Sequence, residues 1–182
     1  MSQSLTVAVI GAGPLGRRLA FAAARAGFQV VLEDVMPANL RHAEESLREQ
    51  LSAHTMPLVR FVNSVEDAVR EADLVFDCVP DELESKLEIF CLLDRMAPPR
   101  TILATPTTHL SIADLASCTY RPDRCISIAV NANKMEGEAG GAIPIRVTSQ
   151  TSAETQATVA AFWERLGYEP QVEADQAEKL LL

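Results

Sequence analysis

Apolar residues in this chain come in short runs, and between the runs lie longer stretches where apolar and polar positions recur at helical spacing. LTVAVI, residues 5 to 10, is rich in β-branched side chains and stops at a glycine, the pattern of a buried parallel strand. From Pro14 to Ala26 small apolar residues alternate with arginines, which predicts a helix closed by Gly27. FQVVLED is a second strand, and residues 37 to 54 open on a proline and continue as a polar-faced helix. PLVRFVNS, 57 to 64, predicts a strand running into Ser64 as the cap of a helix over VEDAVREA. ADLVFDCVP, RTILATPTT and RCISIAVNA are further strands, separated by a helix over 82 to 96 and a short one in LSIADLASC.

NKMEGEAGG, 133 to 141, reads as loop; AIPIRVTS, 142 to 149, alternates like an edge or mixed-sheet strand. A last long helix spans 151 to 166, and EPQVEA follows as a short strand. This alternation predicts a doubly wound, mostly parallel α/β sheet with helices on both faces. One domain over residues 1 to 172 is expected. A short helix over 173 to 182 follows, ending on Leu180, Leu181 and Leu182, which either packs back on the sheet or makes a subunit contact.

Composition narrows the partners. Asp and Glu number 25 against 16 Lys and Arg, a formal charge of -9. Such a surface repels phosphate backbones and anionic membranes, although a local nest of backbone N–H groups still holds a phosphate. The apolar runs are too short to cross a bilayer, and the N-terminus lacks the basic region of a secretory signal. Cys78, Cys91, Cys118 and Cys125 lack the close pairing of a zinc site, so reduced thiols and a cytoplasmic location are expected, with no metal.

The strongest motif joins the first strand to the first helix: Gly11, Gly13 and Gly16, with Pro14 and Leu15 opening the helix. The first glycine allows the tight turn and the second lets the backbone approach a pyrophosphate. The third permits close helix–strand packing, and the diphosphate sits on the free N–H groups of the helix start. Asp34 ends the second strand, where a carboxylate accepts hydrogen bonds from ribose hydroxyls and repels a 2′-phosphate. The fold is thus of Rossmann type and NAD is favoured over NADP; FAD stays open from the motif alone. Glu33, one position earlier, is expected on the opposite face.

Beyond the glycines, DCVPDELESK carries Asp77, Asp81 and Lys86, TPTTHL spans Thr105 to Leu110, RPDRCISI precedes AVNAN, and ETQATVAAFWERLGYEPQV closes the pattern. In these features the chain resembles the NAD-binding domain of the 3-hydroxyacyl-CoA dehydrogenases. The resemblance implies that Asp81 and Lys86 lie near the nicotinamide end of the cofactor; an ordinary ion pair at a helix start is the alternative. It implies that Thr108 takes the place of a substrate-contacting serine and Pro106 that of an asparagine beside the cofactor. It puts Ala129 where the family has its catalytic histidine and Pro144 near the partner glutamate. Asn131 and Asn133 cannot act as bases. His42 and His54 are expected on a solvated helix surface, which leaves His109, beside Thr108, as the candidate base.

The resemblance also implies a following helical domain that this sequence does not contain. The expected function is an NAD(H)-binding protein with a reduced or altered oxidoreductase activity, on an acyl-CoA or another small molecule. The alternative is a non-catalytic NAD(H) sensor or regulatory subunit acting as a homodimer or through a partner protein. A structural relic without ligand is the third reading.

Overall fold

Residues 5 to 175 are described in a computed structural model. Eight strands form one sheet in the order β3-β2-β1-β4-β5-β6-β7-β8. They are β1 (Thr6–Ile10), β2 (Gln29–Glu33), β3 (Val59–Val62), β4 (Leu74–Asp77), β5 (Ile102–Pro106), β6 (Cys125–Ile128), β7 (Ala142–Val147) and β8 (Glu169–Ala174). Neighbours from β3 to β6 run parallel, β7 is antiparallel to β6, and β8 runs with β7. The expected doubly wound, mostly parallel architecture is what the chain adopts. The strand order reverses at β1 and β4, the switch point outside which such sheets bind ligands.

Among the described residues six helices cover the sheet: α1 (Pro14–Arg25), α2 (Pro37–Gln50), α3 (Val65–Val69), α4 (Leu83–Met96), α5 (Ile112–Ala116) and α6 (Ala153–Arg165). On one face Val7, Val9, Leu19, Leu32, Leu47, Phe76 and Phe162 share a core with α1, α2 and α6. On the other, Ala8, Ile10, Val31, Val75, Leu103, Phe90 and Leu115 join α3, α4 and α5. The first core is braced by an aromatic chain, with Phe28–Phe162 and Phe76–Phe162 centroids 5.0 and 5.1 Å apart and Trp163 edge-on to both Phe76 and Tyr168.

Three helices carry side-chain caps: Ser64 accepts from Asp67 N–H at 3.2 Å, Ser111 from Asp114 N–H at 3.3 Å, and Ser152 from Thr155 N–H at 3.1 Å.

Several boundaries differ from expectation. The strand expected over 57 to 64 begins as a 3-10 turn, Met56–Leu58, because Pro57 has no N–H for a ladder, and pairs only over β3. The helix expected to reach residue 54 ends at Gln50, where the hydroxyl of Ser52 accepts from Thr55 N–H at 3.2 Å and folds the chain into a turn. At the far end β8 is the strand expected over EPQVEA, so Glu173 and Ala174 do not open the helix expected over 173 to 182, and residues 176 to 182 of that helix lie outside the described residues. Among the described residues no helix is long and apolar enough to cross a membrane.

Candidate dinucleotide site

A cleft of about 710 Å³ opens along the carboxyl ends of β1, β2, β4, β5 and β6. The glycine turn forms its floor. Gly11 has φ +101°, and a Cβ there would come within 2.8 Å of Cys78 O, so the turn packs against the β4–α4 loop with nothing to spare. A Cβ on Gly16 would lie 1.8 Å from Gly11 O; this glycine is buried and seats α1 on β1 rather than lining the cleft.

Gly13 differs from both. No atom lies within 4 Å of its hypothetical Cβ, which leaves open space in front of a backbone that a diphosphate has to approach. Gly11, Gly13, Pro14 and Leu15 all line the cleft. The N–H groups of the first turn of α1 have no intrahelical partners and are available to an anion. The donor set therefore fits a diphosphate.

Asp34 stands just past β2, buried, with its carboxylate turned to the turn. Oδ2 accepts from Ala12 N–H at 2.9 Å and from Asn39 Nδ2 at 3.1 Å, and Oδ1 accepts from Met36 N–H at 2.8 Å. A carboxylate has about four acceptor directions, so one remains for a ribose hydroxyl. Asn39 was not singled out from the sequence, because only the turn before α2 brings it onto Asp34.

Glu33 was expected on the face opposite Asp34. It does occupy the opposite face, in register with Ile10 and Val62, yet it also lines the cleft, because the groove at the sheet's end is open to both faces. Burial and the neighbouring Asp34 push its carboxyl up to about 7. Among the described lining residues Glu33, Asp34 and Asp81 are anionic types and none is cationic, which favours an unphosphorylated ribose.

The β4–α4 region separates Lys86 from Asp81, which were expected together near the nicotinamide end of the cofactor. Lys86 does not pair with Asp81 and does not line the cleft. It is 1% exposed and donates to Asp77 Oδ1 at 2.5 Å and to Asp77 O at 3.3 Å. Burial raises the Asp77 carboxyl to about 6 even against the adjacent ammonium. Asp81 lies on the cleft wall and meets His109 instead, Oδ2 to Nδ1 at 3.3 Å, with both side chains well exposed. Thr108 and His109 stand on the outer rim, exposed, and do not line the cleft; Thr107, by contrast, is buried and accepts from Leu110 N–H at 3.1 Å. His42 and His54 are exposed, far along the chain from this rim.

Ala129 and Pro144 are neighbours: the N–H of Ala129 donates to Pro144 O at 2.9 Å. Pro106, Val130, Asn131 and Ala132 complete this end of the cleft, with Asn131 Oδ1 accepting from Lys134 N–H at 3.0 Å. Cys78 also lines the cleft, but burial and the Asp77 charge push its thiol up to about 12, so it is not a nucleophile.

Comparison with known proteins agrees with this geometry. Residues 6–176 match the family described as 3-hydroxyacyl-CoA dehydrogenase, NAD binding domain. The chain belongs to that family. Among its relatives are a probable 3-hydroxybutyryl-CoA dehydrogenase of Bacillus subtilis, 33% identical over 134 residues, covering 67% of this chain and 47% of the relative. The human mitochondrial hydroxyacyl-coenzyme A dehydrogenase is 30% identical over 186 residues, covering 90% and 57%. A solved 3-hydroxyacyl-CoA dehydrogenase from Archaeoglobus fulgidus superposes with TM-score 0.78 at 27% identity, covering 97% of this chain and 60% of that one. The chain thus spans about half the length of the curated relatives it matches. NAD is the cofactor of this family domain.

Proposed function

We propose that this domain binds NAD(H) through the glycine turn and Asp34, and that its oxidoreductase activity is reduced or altered. The observation that carries the reading is the meeting of Ala129 with Pro144. These are the positions that the resemblance assigns to a histidine and its glutamate, and neither side chain moves a proton. NAD, when bound, accepts the hydride of a secondary alcohol; the chain must supply the base. His109, with Nδ1 turned to Asp81, is the one imidazole at the cleft rim among the described residues, and Nε2 is then the acceptor for a hydroxyl proton. Thr108 beside it offers a hydroxyl to the substrate. Lys86 acts behind this wall by holding Asp77 and with it the end of β4. The names of the relatives make a short 3-hydroxyacyl-CoA the first substrate to try. Four free thiols suit a reducing compartment such as the cytoplasm.

The alternative, an NAD(H) sensor working as a homodimer or with a partner protein, has one observation in its favour. Arg18 of α1 donates to Ala132 O at 2.5 Å and pairs with Glu136 at 3.4 Å, tying the dinucleotide helix to the 133–141 loop. Cofactor on the helix start would then be felt by an exposed loop.

Titration with NADH, read by nicotinamide fluorescence, is expected to saturate at micromolar concentration; absence of a saturable signal overturns the binding assignment. Turnover with short and long 3-hydroxyacyl-CoAs separates the two readings. Slow turnover lost by roughly 10²–10⁴-fold in His109→Ala supports the altered enzyme. Turnover unaffected by that change places the base elsewhere, and tight binding without turnover favours the sensor.

A further inference from the structure

Glu33 is 2% exposed, and its Oε1 meets no hydrogen-bond partner although it lines the cleft. Its register neighbours Ile10 and Val62 are apolar, as are Val65, Val79, Ile89 and Leu92 along the same wall. One strand beyond Ile10, Asp77 occupies the matching position and is met by Lys86. Among the described residues Glu33 has no such cation. The groups that act on its charge are Asp34, which opposes ionisation, and Gly11 N–H, which favours it. A buried oxygen left without a partner costs its full desolvation unless a ligand supplies the missing bond.

We propose that Glu33 reads the purine base of the dinucleotide, its carboxylic acid pairing with the adjacent amino donor and ring-nitrogen acceptor of adenine. The proposal rests on the dinucleotide occupying this cleft. Asp34, on the other side of the strand end, faces the glycine turn and serves the ribose; Glu33 faces the apolar wall, where a flat heteroaromatic ring is buried most favourably. A neutral acid offers one donor and one acceptor, which matches the adenine edge. A carboxylate offers acceptors only and repels the ring nitrogen. With a carboxyl pushed up to about 7, the chain holds the neutral form on the acid side of neutrality and loses it above. Affinity for NADH therefore falls as pH rises through that value.

The test is NADH titration of the intact chain between pH 5.5 and 8.5, for wild type, Glu33→Gln and Glu33→Leu. Wild type is expected to weaken about 3–10-fold across the range, the worth of one hydrogen bond. Glu33→Gln keeps a donor and an acceptor without a titrating proton, so its affinity stays near the acid-side value with a flat profile. Asp77, which also titrates below neutrality, is unchanged in that variant and serves as the internal control. The second measurement uses 1,N6-etheno-NAD, whose bridge removes the adenine amino donor. At pH 6 the wild-type preference for NAD over the etheno analogue exceeds that of Glu33→Leu by about 3–10-fold. A flat wild-type profile, an undiminished profile in Glu33→Gln, or a preference independent of residue 33 overturns the proposal while NAD binding stands. Absence of NADH binding at every pH overturns both.

Discussion

The two halves of the cleft are built to different standards. At the adenosine half every group has a defined task. Gly11 and Gly16 fit backbone against backbone, Gly13 leaves room for a ligand, and three hydrogen bonds fix Asp34. At the other half the ordered polar groups are turned inward: Lys86 pairs with Asp77 Oδ1 beneath the wall, while Asp77 Oδ2 meets no hydrogen-bond partner among the described residues. What lines the cleft there is Pro106 and Ala132, and what faces outward is the rim pair Asp81–His109. Binding a dinucleotide requires pre-organised donors in a rigid turn, and a buried framework supplies them. Chemistry requires a positioned base, and an exposed pair on two loops supplies orientation only loosely. Under the function proposed above, the difference predicts that cofactor binding and turnover respond to different substitutions in this chain.

The comparison is broken most directly at the glycine turn. Gly16→Val places a branched side chain where even a Cβ would lie 1.8 Å from Gly11 O. Helix α1 must move off β1, and NADH binding is expected to be lost by more than about 100-fold or the fold with it, since overpacking of this kind costs several kcal/mol. Calorimetric titration and thermal melting read the two outcomes. A variant that melts and binds like wild type would show that the turn does not need its close packing.

The next effect lies under the opposite half. Lys86→Met leaves Asp77 as an uncompensated buried carboxylate, and stability is expected to fall by about 3–5 kcal/mol at pH 7.5. The loss shrinks at pH 5, because Asp77 then takes up a proton. Combining Lys86→Met with Asp77→Leu recovers most of it, since the buried pair is of low net worth against apolar residues of similar volume. Urea denaturation of the single and double variants checks this. If Lys86→Met instead abolishes NADH binding at unchanged stability, Lys86 touches the cofactor and the two halves are less distinct than their geometry indicates.

What could be read from the sequence follows the same division. The glycine turn, Asp34 and the Ser64 cap are local: the residues that interact lie within one turn, or within one strand–helix unit of known geometry. The order of strands follows from their alternation with helices. The partners of Lys86 and His109 were not legible in that way. Asp77, Asp81 and Lys86 occur within ten positions, so spacing permits either carboxylate as the lysine's partner. The choice is made by α4, which buries Lys86 against Asp77, and by the loop after β5, which delivers His109 to Asp81. Glu33 was legible as a strand residue of the opposite face, but not as a cleft residue. That depends on the empty space between α3, α4 and the sheet edge, which no single segment defines.

Glu33 provides the third effect, on stability rather than on binding. Its carboxyl is raised in the folded chain from 4.5 to about 7. A raised folded value means that the stabilising contribution is complete below about pH 4.5 and is lost as pH rises through about 7. The size corresponds to about 3 kcal/mol at most. Wild type is therefore expected to lose stability relative to Glu33→Gln between pH 5 and pH 8, in denaturant titrations without cofactor. Asp77 titrates in the same direction and is common to both proteins, so it cancels in the difference. An equal pH response in the two proteins would place the Glu33 carboxyl in water, and would remove the adenosine half's only unpartnered buried acid among the described residues.

The smallest effect is expected at the rim. His109 and Asp81 are 59% and 36% exposed, and their contact is 3.3 Å. Exposed pairs of this kind contribute roughly 0–1 kcal/mol and are screened by salt. His109→Ala is therefore expected to change stability by under about 0.5 kcal/mol and NADH affinity by less than about twofold, as diphosphate and ribose are held elsewhere. The measurement is a paired denaturation and NADH titration at low and moderate salt. Its value lies in the contrast with Gly16→Val: one change is expected to remove the cofactor and the other to leave it bound. If His109→Ala weakens NADH binding as strongly as a change in the glycine turn, the rim pair closes over the cofactor, and the outward-facing half of the cleft is part of the binding framework after all.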